Sequence, residues 1–369
     1  MALAAASLSF AASAQSPDAW QACASVSDDR DRLACFDRWA AGQRPAPPPA
    51  ADAAAAPAAP EAPASPVPPA ARAASGGVRL TARDGCRDEH YSALSRFWEL
   101  ERGSDCGTFG LRSYRPLIAS VVVGDTVNRQ PTSENPANNA TAPIDYRSKE
   151  MRLQLSVRSK LAQGLFTPAS SGASDSIWFA YSQQSYWQLF TPDISRPFRS
   201  TDHEPELMYV HPLQASAAGW RLRYGGVGVV HHSNGQSLPY SRSWNRAYLM
   251  AGADSGPLTL QGRIWQRIDE DPAKDDNPRI SDYFGRAELL ATWHANPNNL
   301  FTATVRHSLG GTSRGSLRLE WFRTLWDDND ASPGGLQLHT QIFSGYGDTL
   351  LDYNRRRSVF SIGVSLAEW

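Results

Sequence analysis

Residues 316–326 read SLRLEWFRTLW: Leu317, Leu319, Trp321 and Leu325 are apolar, and Arg318 and Glu320 stand between them. A period of two throws these sets onto opposite faces of an extended strand. The pattern recurs in Leu258–Ile268, where Leu258, Leu260, Ile264 and Ile268 alternate with Thr259, Gln261, Arg263 and Arg267. Phe360, Ile362, Val364 and Leu366 continue it near the C-terminus. Past residue 110 the chain falls into such segments, separated by Gly, Asn, Asp and Pro clusters that read as turns. The strands are predicted near 112–125, 149–162, 175–190, 204–214, 219–233, 241–254, 257–268, 281–295, 299–309, 314–327, 336–347 and 355–369.

An even number of about twelve strands suits an antiparallel, up-and-down transmembrane β-barrel. A soluble sandwich also alternates, but it rarely carries arginine on so many faces opposite its core. A polar lumen accommodates those arginines, because water or acidic partners meet them inside. Twelve Trp and twelve Tyr suit two interfacial girdles. Trp369 ends the chain in an aromatic residue, as is common for substrates of the outer-membrane assembly machinery, although its phase opposes the Phe360–Leu366 stripe.

The remaining composition excludes other classes. Mean hydropathy is −0.44, and no stretch after residue 14 approaches the roughly 18 apolar residues of a spanning helix. A net charge of −1 leaves no basic footprint for nucleic acid. Residues 1–14 end in Ala12-Ser13-Ala14, a small-residue cleavage pattern that predicts a signal peptide, although the basic start of one is missing. An Ala-rich helix start is the alternative.

Cys23 with Cys35 and Cys86 with Cys106 form two local pairs, which suits disulfides in an oxidising periplasm; free thiols are the alternative. Residues 15–43 then make a small periplasmic helical hairpin, 44–78 a Pro/Ala linker, 79–106 a periplasmic extension, and 107–369 the barrel.

One run stands apart: His231-His232-Ser233-Asn234-Gly235-Gln236-Ser237-Leu238-Pro239-Tyr240-Ser241-Arg242-Ser243-Trp244-Asn245-Arg246. Two strands flank a turn here, and His231 and Ser233 share a face with Val227 and Val229, while His232 faces the other way. Asn245 is in phase with Ala247, Leu249 and Ala251. Paired as a hairpin, Ser233, His231 and Asn245 converge on the lipid side, where polar groups are costly and call for a function. The chemistry suggested is acyl transfer: Ser233 attacks, His231 takes its proton, Asn245 orients the ring, and the Gly235 N–H helps hold the oxyanion.

This run resembles the signature of the outer membrane phospholipase A family, HxSNG followed by SRSWNR. Tyr181–Leu189 (YSQQSYWQL), Ser195–Pro205 (SRPFRSTDHEP), Asp276–Pro278 (DNP) and Ser344–Asn354 (SGYGDTLLDYN) resemble it too. The resemblance implies a twelve-stranded barrel in the bacterial outer membrane that hydrolyses glycerophospholipid acyl esters. It implies phospholipase A1 activity, with A2 and lysophospholipase activity beside it, at the outer leaflet, with Ca²⁺, as a homodimer. By the same resemblance calcium is held by the Ser241 hydroxyl and the Gln236 carbonyl of one subunit and the Ser195 carbonyl of the other, and Gln183 lies at the dimer interface. Asp276 matches one member of a second calcium site whose other member is here Leu238, which implies that this site is weakened or lost.

The competing readings are a non-catalytic barrel, pore or scaffold, of the same fold and a soluble secreted esterase. Other motifs read as bland. Asp269-Glu270-Asp271 with Asp275-Asp276, and Asp327-Asp328-Asn329-Asp330, lack EF-hand spacing and read as solvated turns. Gly225-Gly226-Val227-Gly228 lacks the lysine of a P-loop and reads as a strand bulge that shifts the phase between Leu222 and Val227, and His232, His307 and His339 read as lumen or interface residues.

Overall fold

A computed structural model describes residues 19–42, 84–311, 313–325 and 335–366. The predicted signal peptide, the Pro/Ala linker, the Asp327–Asp330 run and the terminal Trp369 lie outside the described residues. Two units are distinguished, 1–73 and 74–369. In the first, helices α1 (Ala19–Ala24) and α2 (Asp29–Gly42) form a hairpin joined by a Cys23–Cys35 disulfide.

In the second unit a 3-10 turn at Asp84–Arg87 and helix α3 (Ala93–Trp98) precede the barrel. Its strands are β1 (Leu111–Ser113), β2 (Leu117–Gly124), β3 (Lys149–Gln163), β4 (Ser176–Trp187), β5 (Phe198–Ala217), β6 (Trp220–Ser233) and β7 (Ser243–Ser255). After these come β8 (Leu258–Ile268), helix α4 (Ile280–Phe284), β9 (Ala287–Asn296), β10 (Asn299–His307), β11 (Gly315–Thr324), β12 (Leu336–Gly345) and β13 (Arg357–Leu366). From β2 onward each strand pairs antiparallel with the next, and β13 closes onto β2. The short β1 pairs with β3 in line with β2, so the wall is a closed barrel of twelve strands with its first strand interrupted at Tyr114–Pro116.

Burial is inverted relative to a soluble core. Leu207, Val229, Leu249, Ile264, Leu317, Leu319, Phe360 and Ile362 stand exposed on the outer wall, whereas Glu150, Arg152, Ser156, Glu206, His339 and Gln341 are buried inside. That is the arrangement a lipid-facing wall around a polar bore requires. The inner charges are paired: Arg115 reaches Glu204 at 2.6 Å, Arg246 reaches Glu204 at 3.1 Å, and Arg263 reaches Glu206 at 3.2 Å.

Two expectations need correction. Residues 281–295 are not one strand, because Ile280–Phe284 is helical and β9 starts at Ala287. The phase of β6 shifts between Leu222 and Tyr224, within the expected Leu222–Val227 interval and just before the glycines. A Cβ on Gly228 would lie 2.5 Å from the Tyr248 ring, so that glycine makes room for an inward aromatic side chain. The aromatic residues do not chiefly form girdles either: Trp98, Trp178 and Trp244 are fully buried in the bore. Trp293, Phe301 and Trp321 make an outer row across paired strands, with ring centroids 5.5 and 6.3 Å apart.

The bore is filled from one end by the segment before the wall. Ser92 caps α3 by accepting the Ser95 N–H, and the Cys86–Cys106 disulfide brackets the helix. Trp98 packs edge-on to Trp178 at 5.8 Å and against Tyr224 at 5.6 Å. Arg158 lies 3.4 Å over the Phe97 ring, and buried Lys160 meets Glu99 at 2.6 Å. At the other end, α4 and residues 346–353 pack inward through Phe284, Leu350 and Tyr353. Between the two layers lies a cavity of about 180 Å³ lined by Trp98, Arg115, Glu204, Arg263, Phe284 and Asp348.

Candidate active site

The strands β6 and β7 place the predicted site residues. His231 pairs with Asn245 and Ser233 with Ser243 across this hairpin, so Ser233, His231 and Asn245 share the outer face with the exposed Val227, Val229 and Leu249. His231 Nδ1 lies 2.8 Å from Asn245 Oδ1. With the amide oxygen accepting from Nδ1–H, Nε2 is left as the basic ring nitrogen. The Ser233 hydroxyl makes no hydrogen bond to the ring. Such contacts commonly tighten only when substrate is bound. His232 faces inward as expected, accepting from Trp244 Nε1 at 3.2 Å and lying 3.3 Å from Glu204. His339 also sits in the bore, 3.1 Å from Glu320.

Below these residues the outer wall is concave. Leu207, Val227, Val229, Ala247, Leu249 and Ile264 line an apolar depression on the outer wall. Above them, the turn after β6 brings Gly235 round at φ +62°, a left-handed conformation that suits glycine. Asn234, which is buried, holds the turn: its amide donates to the Tyr240 carbonyl, and its Oδ1 accepts the Gln236 and Arg242 N–H groups. Gln236 is anchored in addition by Nε2 donating to the Arg199 carbonyl.

The residues expected around calcium are brought together only in part. Ser241 Oγ donates to Asp276 Oδ2 at 2.6 Å. Asn138, from the loop between β2 and β3, donates to the other Asp276 oxygen at 3.0 Å and to the Ser241 carbonyl at 2.9 Å. Its own Oδ1 is buried without a partner. An all-oxygen set with an orphaned buried oxygen fits a hard divalent cation. The Ser195 carbonyl belongs to another loop, between β4 and β5, where it accepts from the Trp187 indole. Leu238 is exposed and offers no ligand atom. Gln183 lies on the outer face of β4, accepting from Tyr181 at 3.0 Å and donating to Ser185 at 3.2 Å.

The acidic run after β8 departs in part from the expectation of a solvated turn: Asp269 and Asp271 are exposed, but the rest are committed. Asp275 is buried and meets Arg267 at 2.6 Å, Asp276 holds Ser241, and Glu270 Oε1 accepts from Asn245 Nδ2 at 3.1 Å. Burial pushes the Glu270 carboxyl above the usual carboxylate range, with Asp275 and Asp276 adding to the rise and Arg267 and the Asn245 amide opposing it. Period two carried past Ile268, the partner of Asn245, puts Glu270 on the same face, and that signal was available. His203 is a second residue the motif did not flag. It pairs directly with Ser233 across β5 and β6, and its Nδ1 lies 2.7 Å from the Tyr181 hydroxyl.

Comparison with known proteins extends this geometry. The family model described as phospholipase A1 matches residues 94–366. A putative phospholipase A1 of Neisseria meningitidis serogroup B is 32% identical over 353 residues, covering 93% of this chain and 89% of that protein. Phospholipase A1 of Escherichia coli is 34% identical over 221 residues, 60% of this chain and 70% of that one. Among solved structures, outer membrane phospholipase A from Escherichia coli superposes with a TM-score of 0.61 at 29% identity, over 72% of this chain and 94% of its own. A Salmonella typhi outer membrane phospholipase dimer with bound calcium superposes with a TM-score of 0.60 at 29% identity, over 70% and 93%. With the family model reaching from the buried helix α3 to the last strand, and the Neisseria relative aligned along nearly the whole length, the chain belongs to the phospholipase A1 family.

Proposed function

We propose that this outer-membrane phospholipase hydrolyses acyl ester bonds of glycerophospholipids at the outer leaflet, with Ser233 as nucleophile, His231 as base and Asn245 as the group that orients the ring. The observation that carries this reading is the His231–Asn245 hydrogen bond on the lipid-facing wall, beside Ser233 and above an apolar depression. A hydrocarbon chain lying along Val227, Val229 and Leu249 brings its ester to the level of Ser233. Holding reactants this way converts a bimolecular encounter into a positioned one.

Ser233 Oγ then bonds to the acyl carbonyl carbon while His231 Nε2 takes the hydroxyl proton. The carbonyl oxygen becomes an oxyanion, to which the Gly235 N–H would donate. Collapse breaks the ester bond, and His231 returns the proton to the departing glycerol oxygen. Water, activated by the same imidazole, releases the fatty acid and regenerates Ser233. The same nucleophile serves the sn-1 and sn-2 esters and lysophospholipids.

The Ser241 hydroxyl and the Gln236 carbonyl are the groups of this chain that would hold Ca²⁺, with the Ser195 carbonyl of a second copy. Bound there, calcium supplies positive charge beside the developing oxyanion, which offsets the weaker support a neutral Asn gives the imidazolium. A homodimer follows from the position of the depression, since a site open to the side gains a second wall when another barrel docks along Gln183.

The filled bore gives no support to a pore. The experiment is mass-spectrometric mapping after treatment with a long-chain sulfonyl fluoride, alongside hydrolysis by Ser233→Ala. Label on Ser233 and loss of hydrolysis in a normally folded variant are expected; unchanged hydrolysis by that variant would overturn the reading.

A further inference from the structure

The Asn245 side chain is held from both ends. Oδ1 faces His231 Nδ1 at 2.8 Å, and Nδ2 donates to Glu270 Oε1 at 3.1 Å. A carboxamide has two ends of nearly equal size and opposite hydrogen-bonding character, and its terminal torsion is only weakly two-fold. Turned over, Asn245 would present Nδ2 to His231, and Nδ1 would have to accept. The ring proton would then sit on Nε2, leaving no lone pair to receive the Ser233 proton. An ionised carboxylate accepts and never donates. Glu270 therefore pairs only with the Nδ2 end of the amide and selects the orientation that general-base catalysis needs.

We propose that Glu270 is a positioning residue, whose carboxylate fixes the Asn245 amide with Oδ1 toward His231 and so keeps His231 Nε2 free to accept the proton of Ser233. This rests on the Ser233–His231–Asn245 reading above. The surroundings leave Glu270 available for the role, because the cation nearest it in sequence, Arg267, is bound to Asp275 and to the Asn277 and Pro278 carbonyls. Like-charged Asp275 and Asp276 are committed to Arg267 and Ser241. Glu270 also places a negative charge one residue beyond the neutral amide, where triads of the Ser-His-Asp type carry theirs directly.

The test is steady-state hydrolysis of a dispersed phospholipid by the full chain refolded in detergent, with heat-modifiable gel mobility as the folding control for each variant. Glu270→Ala is expected to lower kcat roughly tenfold, the scale of outer-shell orienting contacts, with KM unchanged. Glu270→Gln, which retains one acceptor oxygen, recovers part of the loss. In an Asn245→Ala background, Glu270→Ala has no further effect, because its only route to His231 is already gone. Wild-type kcat in Glu270→Ala, or an equal further loss in the Asn245→Ala background, overturns the proposal. Should the alanine variant not give the folded band, Glu270→Lys, which offers only donors, takes its place under the same criteria. Sulfonyl fluoride labelling of the unsubstituted protein separates the two levels. Label away from Ser233 sinks the catalytic assignment itself, whereas label on Ser233 with an indifferent Glu270→Ala sinks only the positioning role.

Discussion

His231 and Asn245 are direct partners across β6 and β7, and the imidazole Nδ1 and amide Oδ1 close to 2.8 Å on the side of the wall that faces hydrocarbon. The amide holds one tautomer of the ring. Asn245→Ala is accordingly expected to lower kcat on the order of 10²-fold, the lower end for a misplaced general base, with KM little changed. A fall in KM-limited rate alone, at full kcat, would show that Asn245 contacts substrate rather than the ring.

Ser241 and Asp276 share one hydrogen bond at 2.6 Å, and Asn138 spans both. Chelation of Ca²⁺ with EDTA is expected to abolish turnover while the unheated protein keeps its compact gel mobility. Ser241→Ala should raise the Ca²⁺ concentration for half-maximal activity on the order of tenfold, as loss of one oxygen ligand implies. Undiminished hydrolysis in EDTA would remove calcium from the mechanism.

Leu249 is exposed midway along β7 on the outer face. In a lipid-facing position Leu249→Arg costs about 2–4 kcal/mol near the bilayer midplane, read as a lower urea midpoint for the protein refolded into vesicles. A water-facing strand would accept arginine there without measurable loss.

Trp98 is 1% exposed and fills the bore between Trp178 and Tyr224. Trp98→Ala is expected to destabilise the protein by about 3–5 kcal/mol. Removing the Cys86–Cys106 bridge as Cys86→Ser with Cys106→Ser should cost about 3 kcal/mol, the value for a closed loop of this order. Both are measured by chemical denaturation in detergent. Equal midpoints for wild type and the Trp98 variant would mean that α3 is not held inside the wall.

Much of the wall was legible because period two is a local property. Leu317, Leu319, Leu258, Ile264 and Phe360 all face outward as the alternation requires. His231, Ser233 and Asn245 fell on that face by the same parity, and their convergence needed only the hairpin register. The helix α4 was missed because Ile280–Phe284 is a single turn, too short to display a helical period against a neighbouring strand. Trp98, Trp178 and Trp244 were misplaced because composition counts aromatic residues without saying which face bears them. The acidic run after β8 was misread in part for a related reason. Whether Glu270, Asp275 and Asp276 are solvated or committed depends on Asn245, Arg267 and Ser241, partners brought near by folding and not marked by any spacing motif.

The segment stapled by Cys86 and Cys106 occupies the bore, and the proposed Ser233–His231–Asn245 site lies on the outside of the same wall. Working surface and passageway are thus separated: the tube serves as a rigid post in the bilayer rather than a conduit. Copies of such a barrel add no open path for small solutes through their bores, and a substrate of the proposed site has to reach it from the flank of the post.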